Sequence, residues 1–149
     1  MVVFGVDLKR RVVFRLRQRL FRLWIDFLND SGTAQSIELR RLIRENERVL
    51  LTGHILVEIL QGFAHDAEAD EIGEVLLGFP FLDLELPGDY IAAAGLYRTA
   101  RSSGITLRST VDLLIAIPCI RAGAWLLHSD RDFDRLAGIS NLKIWQQSG

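Results

Sequence analysis

Short apolar runs alternate with stretches of helical periodicity along almost the whole chain, and this alternation is the feature that most constrains the fold. The runs that predict strands lie at 49–52, 81–84, 124–127 and 142–145. Helical periods fill the intervals, at 37–44, 54–63, 67–77, 89–102, 111–121 and, after a turn, up to Leu136. Strands joined through helices predict right-handed crossovers, so we expect an α/β fold with a mostly parallel sheet covered by helices on both faces.

The start of the chain combines two different hydrophobic patterns. Residues 2–6 form a short apolar run that predicts a strand, whereas residues 12–28 carry apolar side chains at helical spacing. We therefore expect a first strand at 2–6, followed by an amphipathic helix. A chain of 149 residues is long enough for a single core, so one domain over 1–149 is expected.

The helix predicted at 111–121 contains a proline and the only cysteine of the chain. Pro118 lacks a backbone N–H and should kink this helix or end it early. Cys119 lies in an apolar run and has no second cysteine with which to pair, so we expect a small buried hydrophobic residue and a cytoplasmic protein.

The formal net charge of −1 hides two oppositely charged segments. Residues 1–22 hold seven basic residues against one acid, whereas the rest of the chain holds 11 basic and 18 acidic residues. No Lys or Arg occurs between Arg48 and Arg98, a stretch that contains nine acids. An acidic body of this kind favours binding of a cation.

Several classes of function are excluded by what the sequence lacks. No apolar run approaches the roughly 20 residues that cross a bilayer, so no membrane contact is expected. The chain contains no P-loop, G-x-G-x-x-G or G-x-S-x-G motif. Its three histidines, His54, His65 and His128, lack the i, i+4 spacing of a metal-binding helix and are expected in turns, caps or on the surface.

Acidic residues follow the predicted strands at three places. Asp130 and Asp132 come after the strand at 124–127, Glu58 lies two turns into the helix after 49–52, and Asp112 lies in the first turn of its helix. Ligands of parallel α/β sheets bind at the carboxyl ends of the strands. Carboxylates gathered there repel one another unless a cation joins them, and Mg²⁺ or Mn²⁺ suits an oxygen-only cluster. Two alternatives remain open: Asp112 as an electrostatic cap of its helix and Glu58 as a half-exposed side chain.

Four segments of the chain resemble successive blocks of the PIN-domain ribonucleases, most closely the VapC-type toxins of bacterial toxin-antitoxin pairs. They occur in the family's order and spacing, and the similarity covers residues 23–145. The blocks are WIDFL at 24–28, LVEILQG at 56–62, RSTVDLLIA at 108–116 and LLHSDRDF at 126–133.

This resemblance implies a three-layer α/β/α sandwich whose acidic pocket holds Mg²⁺ or Mn²⁺ and cleaves RNA through a metal-activated water. It matches Glu58, Asp112 and Asp130 to the family's second, third and fourth acidic positions, with a catalytic and metal-binding role, and Asp132 to a more variable acid. It also implies a VapB-type antitoxin as the partner that covers the pocket, and a homodimer.

The family's first acidic position has no counterpart where the pattern requires one. In the family it lies shortly before the WIDFL block, but residues 20–23 here are Leu, Phe, Arg and Leu. Asp7 either supplies this metal ligand from the end of the strand at 2–6 or is a solvated residue of an irregular start. We expect residues 1–22 to be an atypical basic segment, arising from an altered start upstream of an intact body. The alternative to an active endoribonuclease is therefore a catalytically impaired PIN-fold protein that retains only antitoxin binding or dimerisation.

Overall fold

The computed structural model describes residues 11–15, 32, 34–45, 47–128 and 130–146 of the chain. Within these ranges the sheet has four strands: β1 (Arg11–Arg15), β2 (Arg48–Leu50), β3 (Trp125–His128) and β4 (Lys143–Ile144). The helices are α1 (Ala34–Arg44), α2 (Gly53–Leu60), α3 (Asp66–Leu76), α4 (Gly88–Ser102), α5 (Thr110–Ala122) and α6 (Arg131–Ala137). The strands run in the order β2-β1-β3-β4 and every pair is parallel.

The strand order places helices on both faces of the sheet. The crossover from β1 through α1 leads to β2 on one side, whereas that from β3 through α6 leads to β4 on the other. Right-handed crossovers that run in opposite directions lie on opposite faces of a parallel sheet. The predicted α/β class with a parallel central sheet is confirmed.

Of the two inner strands of the sheet, β1 is not where the sequence pattern predicts a strand. β1 pairs with β2 through Val13 and Leu50 and with β3 through Val13 and Leu126, and the Val13 side chain is fully buried. The helix predicted from residue 12 onward is therefore wrong over 12–15. Central parallel strands are buried on both faces and read as continuous apolar runs, which a short window cannot distinguish from a helix. The strand predicted at 2–6 lies outside the described residues.

The strand predicted at 81–84 is reduced to a single bridge beside β2. Leu51 pairs with Phe81 in parallel, the Leu51 N–H donates to the Pro80 carbonyl at 3.0 Å, and the Leu82 N–H donates to the Leu51 carbonyl at 2.7 Å. Residues 82–84 belong to no strand, so the prediction of a full strand there is wrong.

Helix α5 continues through Pro118, so of the two expected effects, a kink or an early end, the early end is wrong. It reaches Ala122 and stops at Gly123, whose left-handed φ of 62° suits a residue without a side chain. A proline inside a helix costs about 3 kcal/mol, but each large apolar side chain that is fully buried contributes about 1.5–3 kcal/mol. Leu113 and Ile115 are both buried in the core, so packing outweighs the lost hydrogen bond. Among the described helices, none is long and apolar enough to span a bilayer.

Cys119 is fully buried in α5, as the sequence predicts. Burial raises the pKa of its thiol to about 12. The side chain therefore stays a neutral thiol at physiological pH and packs as a small hydrophobic residue.

Arg121, near the end of α5, ties that helix to the segment that leads into α4. Its Nε donates to Asp89 Oδ1 at 3.1 Å, and its Nη2 donates to Asp89 Oδ2 at 3.0 Å and to the Asp83 carbonyl at 2.7 Å. Its Nη1 donates to Glu85 Oε1 at 2.8 Å. Asp89 is buried, and the guanidinium beside it holds the pKa of its carboxyl below the ordinary value.

We expect Arg121→Ala to lower the free energy of unfolding at pH 7 by about 1–2 kcal/mol, because Asp89 would keep a buried charge without its cation. The pair stabilises the fold above the pKa that Asp89 has in the unfolded chain, near 3.8, and this contribution is lost as pH falls through the lower folded pKa. Urea unfolding at pH 7 and at pH 3 should therefore show a smaller difference between the two proteins at pH 3.

The control for this prediction is Arg101→Ala, which removes an exposed arginine from the last turn of α4. Its free energy of unfolding should stay within about 0.5 kcal/mol of the wild-type value. Equal stability of the wild type and Arg121→Ala at pH 7 would show that the ion pair contributes nothing to the fold.

Candidate metal centre

Three aspartates converge at the carboxyl edge of the sheet. Asp112, Asp130 and Asp132 each place one carboxylate oxygen within 4.8 Å of the other two. Asp112 is 3% exposed and Asp132 is 1% exposed, so two of the three charges lie almost completely out of water. All three were predicted from the sequence as candidate ligands.

The start of α5 places Asp112 in this cluster. The Ser109 side chain caps the helix by accepting a hydrogen bond from the Val111 N–H at 3.2 Å. This cap fixes the first turn, in which Asp112 lies. The partial positive charge at the helix N-terminus favours a carboxylate there, so the capping role that the sequence left open is compatible with membership of the cluster.

The junction between β3 and α6 supplies the other two aspartates. Asp130 is the N-cap residue of α6, and its Oδ1 accepts a hydrogen bond from the Asp132 N–H at 3.1 Å. The Phe133 N–H donates to the Asp130 carbonyl at 3.1 Å, and the Phe133 ring is fully buried. This tight turn brings two carboxylates two residues apart to the same end of the sheet.

Two further side chains contact the turn that carries Asp130 and Asp132. Arg135 Nη1 donates to Asp132 Oδ1 at 3.3 Å. His128 Nδ1 accepts a hydrogen bond from the Asp130 N–H at 3.2 Å, and burial lowers the pKa of the imidazole. His128 is the last residue of β3 and its side chain is only 6% exposed, so the prediction of a turn, cap or surface residue is wrong. The sequence signal that could have identified it is its place at the end of an apolar strand, two residues before an acid.

The donor set fits a hard divalent cation. Asp132 Oδ2 is buried and accepts no hydrogen bond from any described residue. A buried carboxylate oxygen without a partner is costly, and neighbouring carboxylates add to the cost by mutual repulsion. A divalent ion held by oxygen ligands would relieve both, and the chemistry of the three side chains suits Mg²⁺ or Mn²⁺.

The other two predicted ligands do not join this group among the described residues. Glu58 is half-buried on α2 and lies outside the set of side chains whose oxygens are all within 4.8 Å of one another. Asp7 lies outside the described residues. Of the four predicted metal ligands among the described residues, the structure therefore brings together three.

The carboxyl end of the central strand carries a basic residue. Arg15 is the last residue of β1 and pairs in register with His128, two residues before Asp130. This is the end of the strand from which the resemblance expects the first acid. Within the described part of the chain, no acidic residue occupies this end of β1.

Comparison with known proteins agrees with this architecture. The PIN domain family matches residues 23–139 of the chain. Over 121 residues the chain is 39% identical to VapC ribonuclease Mb1587 of Mycobacterium bovis and to Ribonuclease VapC11 of Mycobacterium tuberculosis, which covers 80% of this chain and 90% of each relative.

A solved structure with a similar fold is that of VapBC2 from Rickettsia felis bound to a DNA fragment from their promoter. The TM-score is 0.67 at 15% sequence identity, and the match covers 93% of this chain and 99% of that one. Sequence identity of 15% supports similarity of fold alone. Family membership rests on the family match and on the two mycobacterial relatives. The chain belongs to the PIN domain family, with VapC ribonucleases among its relatives.

Proposed function

We propose that this protein is a Mg²⁺- or Mn²⁺-dependent endoribonuclease that acts as the toxin of a VapBC-type pair. The observation that carries the proposal is the convergence of Asp112, Asp130 and Asp132, with one buried oxygen of Asp132 that has no hydrogen-bond partner among the described residues. The VapC ribonucleases that are 39% identical to the chain support the choice of RNA as substrate.

In this proposal Asp112, Asp130 and Asp132 hold the ion, and Glu58 and Asp7 are the further ligands that the family resemblance suggests. A divalent ion supplies, when bound, the Lewis-acid chemistry of phosphodiester hydrolysis, so no protein nucleophile is required. Asp130 also has a structural role, because its Oδ1 caps α6 and so fixes the position of the Asp132 backbone. Arg135 holds Asp132 Oδ1, which leaves Oδ2 for the cluster. The buried positions of Asp112 and Asp132 exclude water and strengthen their attraction for a cation.

The proposed partner is a small antitoxin of the VapB type that covers the acidic pocket, and the proposed assembly includes a homodimer of this chain. The support is the similarity in fold to a VapBC complex and the acidic character of the body between Arg48 and Arg98, which favours a basic partner segment. The proposed compartment is the cytoplasm, consistent with a single cysteine that is buried as a thiol.

A second candidate function is supported by the missing first acid of the family pattern, since residues 20–23 are Leu, Phe, Arg and Leu. A cluster with one carboxylate fewer holds a metal ion less tightly. In this alternative the protein is a catalytically impaired PIN-fold protein that retains only antitoxin binding or dimerisation.

Cleavage of a structured RNA by the full chain distinguishes the two candidates. We expect cleavage in the presence of Mn²⁺ that stops when EDTA removes the ion and returns when Mn²⁺ is restored. Absence of cleavage at every Mn²⁺ concentration, with binding of a VapB-type antitoxin intact, would support the impaired alternative. Cleavage that persists in EDTA would contradict the metal-dependent mechanism.

A further inference from the structure

A hydrogen bond joins the His128 side chain to the backbone of Asp130. The residue is the last of β3, and its Nδ1 accepts the Asp130 N–H at 3.2 Å. The described pairs between β1 and β3 run as far as Arg15 and His128, and the Asp130 N–H follows two residues after the last of them.

The ring itself is fixed by its surroundings. It packs against Phe133, with ring centroids 5.3 Å apart and the planes tilted by 50°. Its side chain is only 6% exposed, and its Nε2 lies 3.4 Å from Asp134 Oδ1 without making a hydrogen bond. Since Nδ1 accepts a hydrogen bond, the proton of the neutral ring is on Nε2, on the side of Asp134.

A chain of two hydrogen bonds connects His128 to two of the three aspartates. The Asp130 backbone is held by the imidazole, and Asp130 Oδ1 in turn accepts the Asp132 N–H at 3.1 Å. Outer-shell contacts of this kind set the direction of metal ligands and are needed for full affinity. We propose that His128 is a positioning residue whose Nδ1 fixes the turn that carries Asp130 and Asp132 into the cluster, an inference that rests on the proposed metal-binding function.

The test compares two substitutions that both remove the ring. In His128→Asn the side-chain oxygen is as many bonds from Cα as Nδ1 is, so it can still accept the Asp130 N–H. In His128→Gln the acceptor is one bond farther away and cannot take the same position. Mn²⁺ alone is titrated into each full-length protein by calorimetry, and thermal unfolding is recorded in parallel.

We expect His128→Gln to weaken Mn²⁺ binding by about 10-fold or more, and His128→Asn to stay within about threefold of the wild type. Loss of packing on Phe133 lowers the melting temperature of both variants, so a merely structural role would not separate their affinities. Equal Mn²⁺ affinities of the two variants would overturn the inference while leaving the proposed function in place. A wild-type protein that binds no Mn²⁺ would contradict the proposed function, and the positioning role would fail with it.

Discussion

Replacing Asp112 by asparagine is expected to reduce Mn²⁺-dependent RNA cleavage by at least about 100-fold, because loss even of outer-shell partners costs metal sites about 10–100-fold. The amide has nearly the same volume as the carboxylate, so the buried first turn of α5 keeps its packing. What changes is the charge of one of three oxygens that lie within 4.8 Å of one another. The fold should therefore survive while the activity is lost.

The measurement is the initial rate of cleavage of a structured RNA at saturating Mn²⁺, with circular dichroism as a check of folding. Asp66→Asn is the matched control, since Asp66 also lies in the first turn of a helix, but it is exposed and outside the cluster. The control should cleave at the wild-type rate. If the wild type and Asp112→Asn cleave the RNA at the same rate, the activity comes from another part of the chain or from a contaminant.

We expect Asp132→Asn to be more stable than the wild type without metal and less stable than the wild type in excess Mn²⁺. Without metal, the wild type keeps a buried carboxylate oxygen that has no partner among the described residues. A neutral amide relieves this cost and the repulsion from Asp112 and Asp130, so the variant should be more stable by about 1–2 kcal/mol, or about 2–8 °C in melting temperature.

With metal, the order of stabilities should invert. An ion at 100 times its dissociation constant stabilises the folded wild type by about 2.7 kcal/mol, and the variant, which binds it poorly, gains little. Melting temperatures in EDTA and in excess Mn²⁺ measure both halves of this prediction.

Asp70→Asn on the exposed side of α3 is the control, because it should follow the wild type under both conditions. A variant that is less stable than the wild type in EDTA would show that the Asp132 carboxylate is satisfied without a metal ion. A variant that gains as much stability from Mn²⁺ as the wild type would exclude Asp132 as a ligand.

Most of the candidate site could be predicted from the order of residues along the chain. Asp130 and Asp132 follow a strand, and Asp112 begins a helix that precedes the same strand. In a parallel sheet these positions share one edge, so their convergence follows from the topology. Glu58 satisfies the same sequence rule but lies outside the cluster of three, because its place two turns into α2 leaves its direction to the packing of that helix.

The contacts around the site could not be predicted, because they depend on side chains that are distant in sequence or on burial. Arg121 reaches Asp89 across 32 positions, and no local pattern marks that pair. From the sequence, His128 is expected in a turn, in a helix cap or on the surface. Only the packing of its ring against Phe133 and its place at the end of β3 make it a buried acceptor.

By itself the sequence determined the fold class and the edge of the sheet at which the acids lie, because both depend on the alternation of strands and helices along the chain. Tertiary structure decided which segment forms the central strand. The run at Val12–Phe14 has apolar spacing compatible with a helix or a buried strand, and pairing with β2 and β3 on both sides selects the strand. That selection also places Arg15 at the edge where the aspartates converge, since the end of a strand is fixed by its partners and not by its own residues.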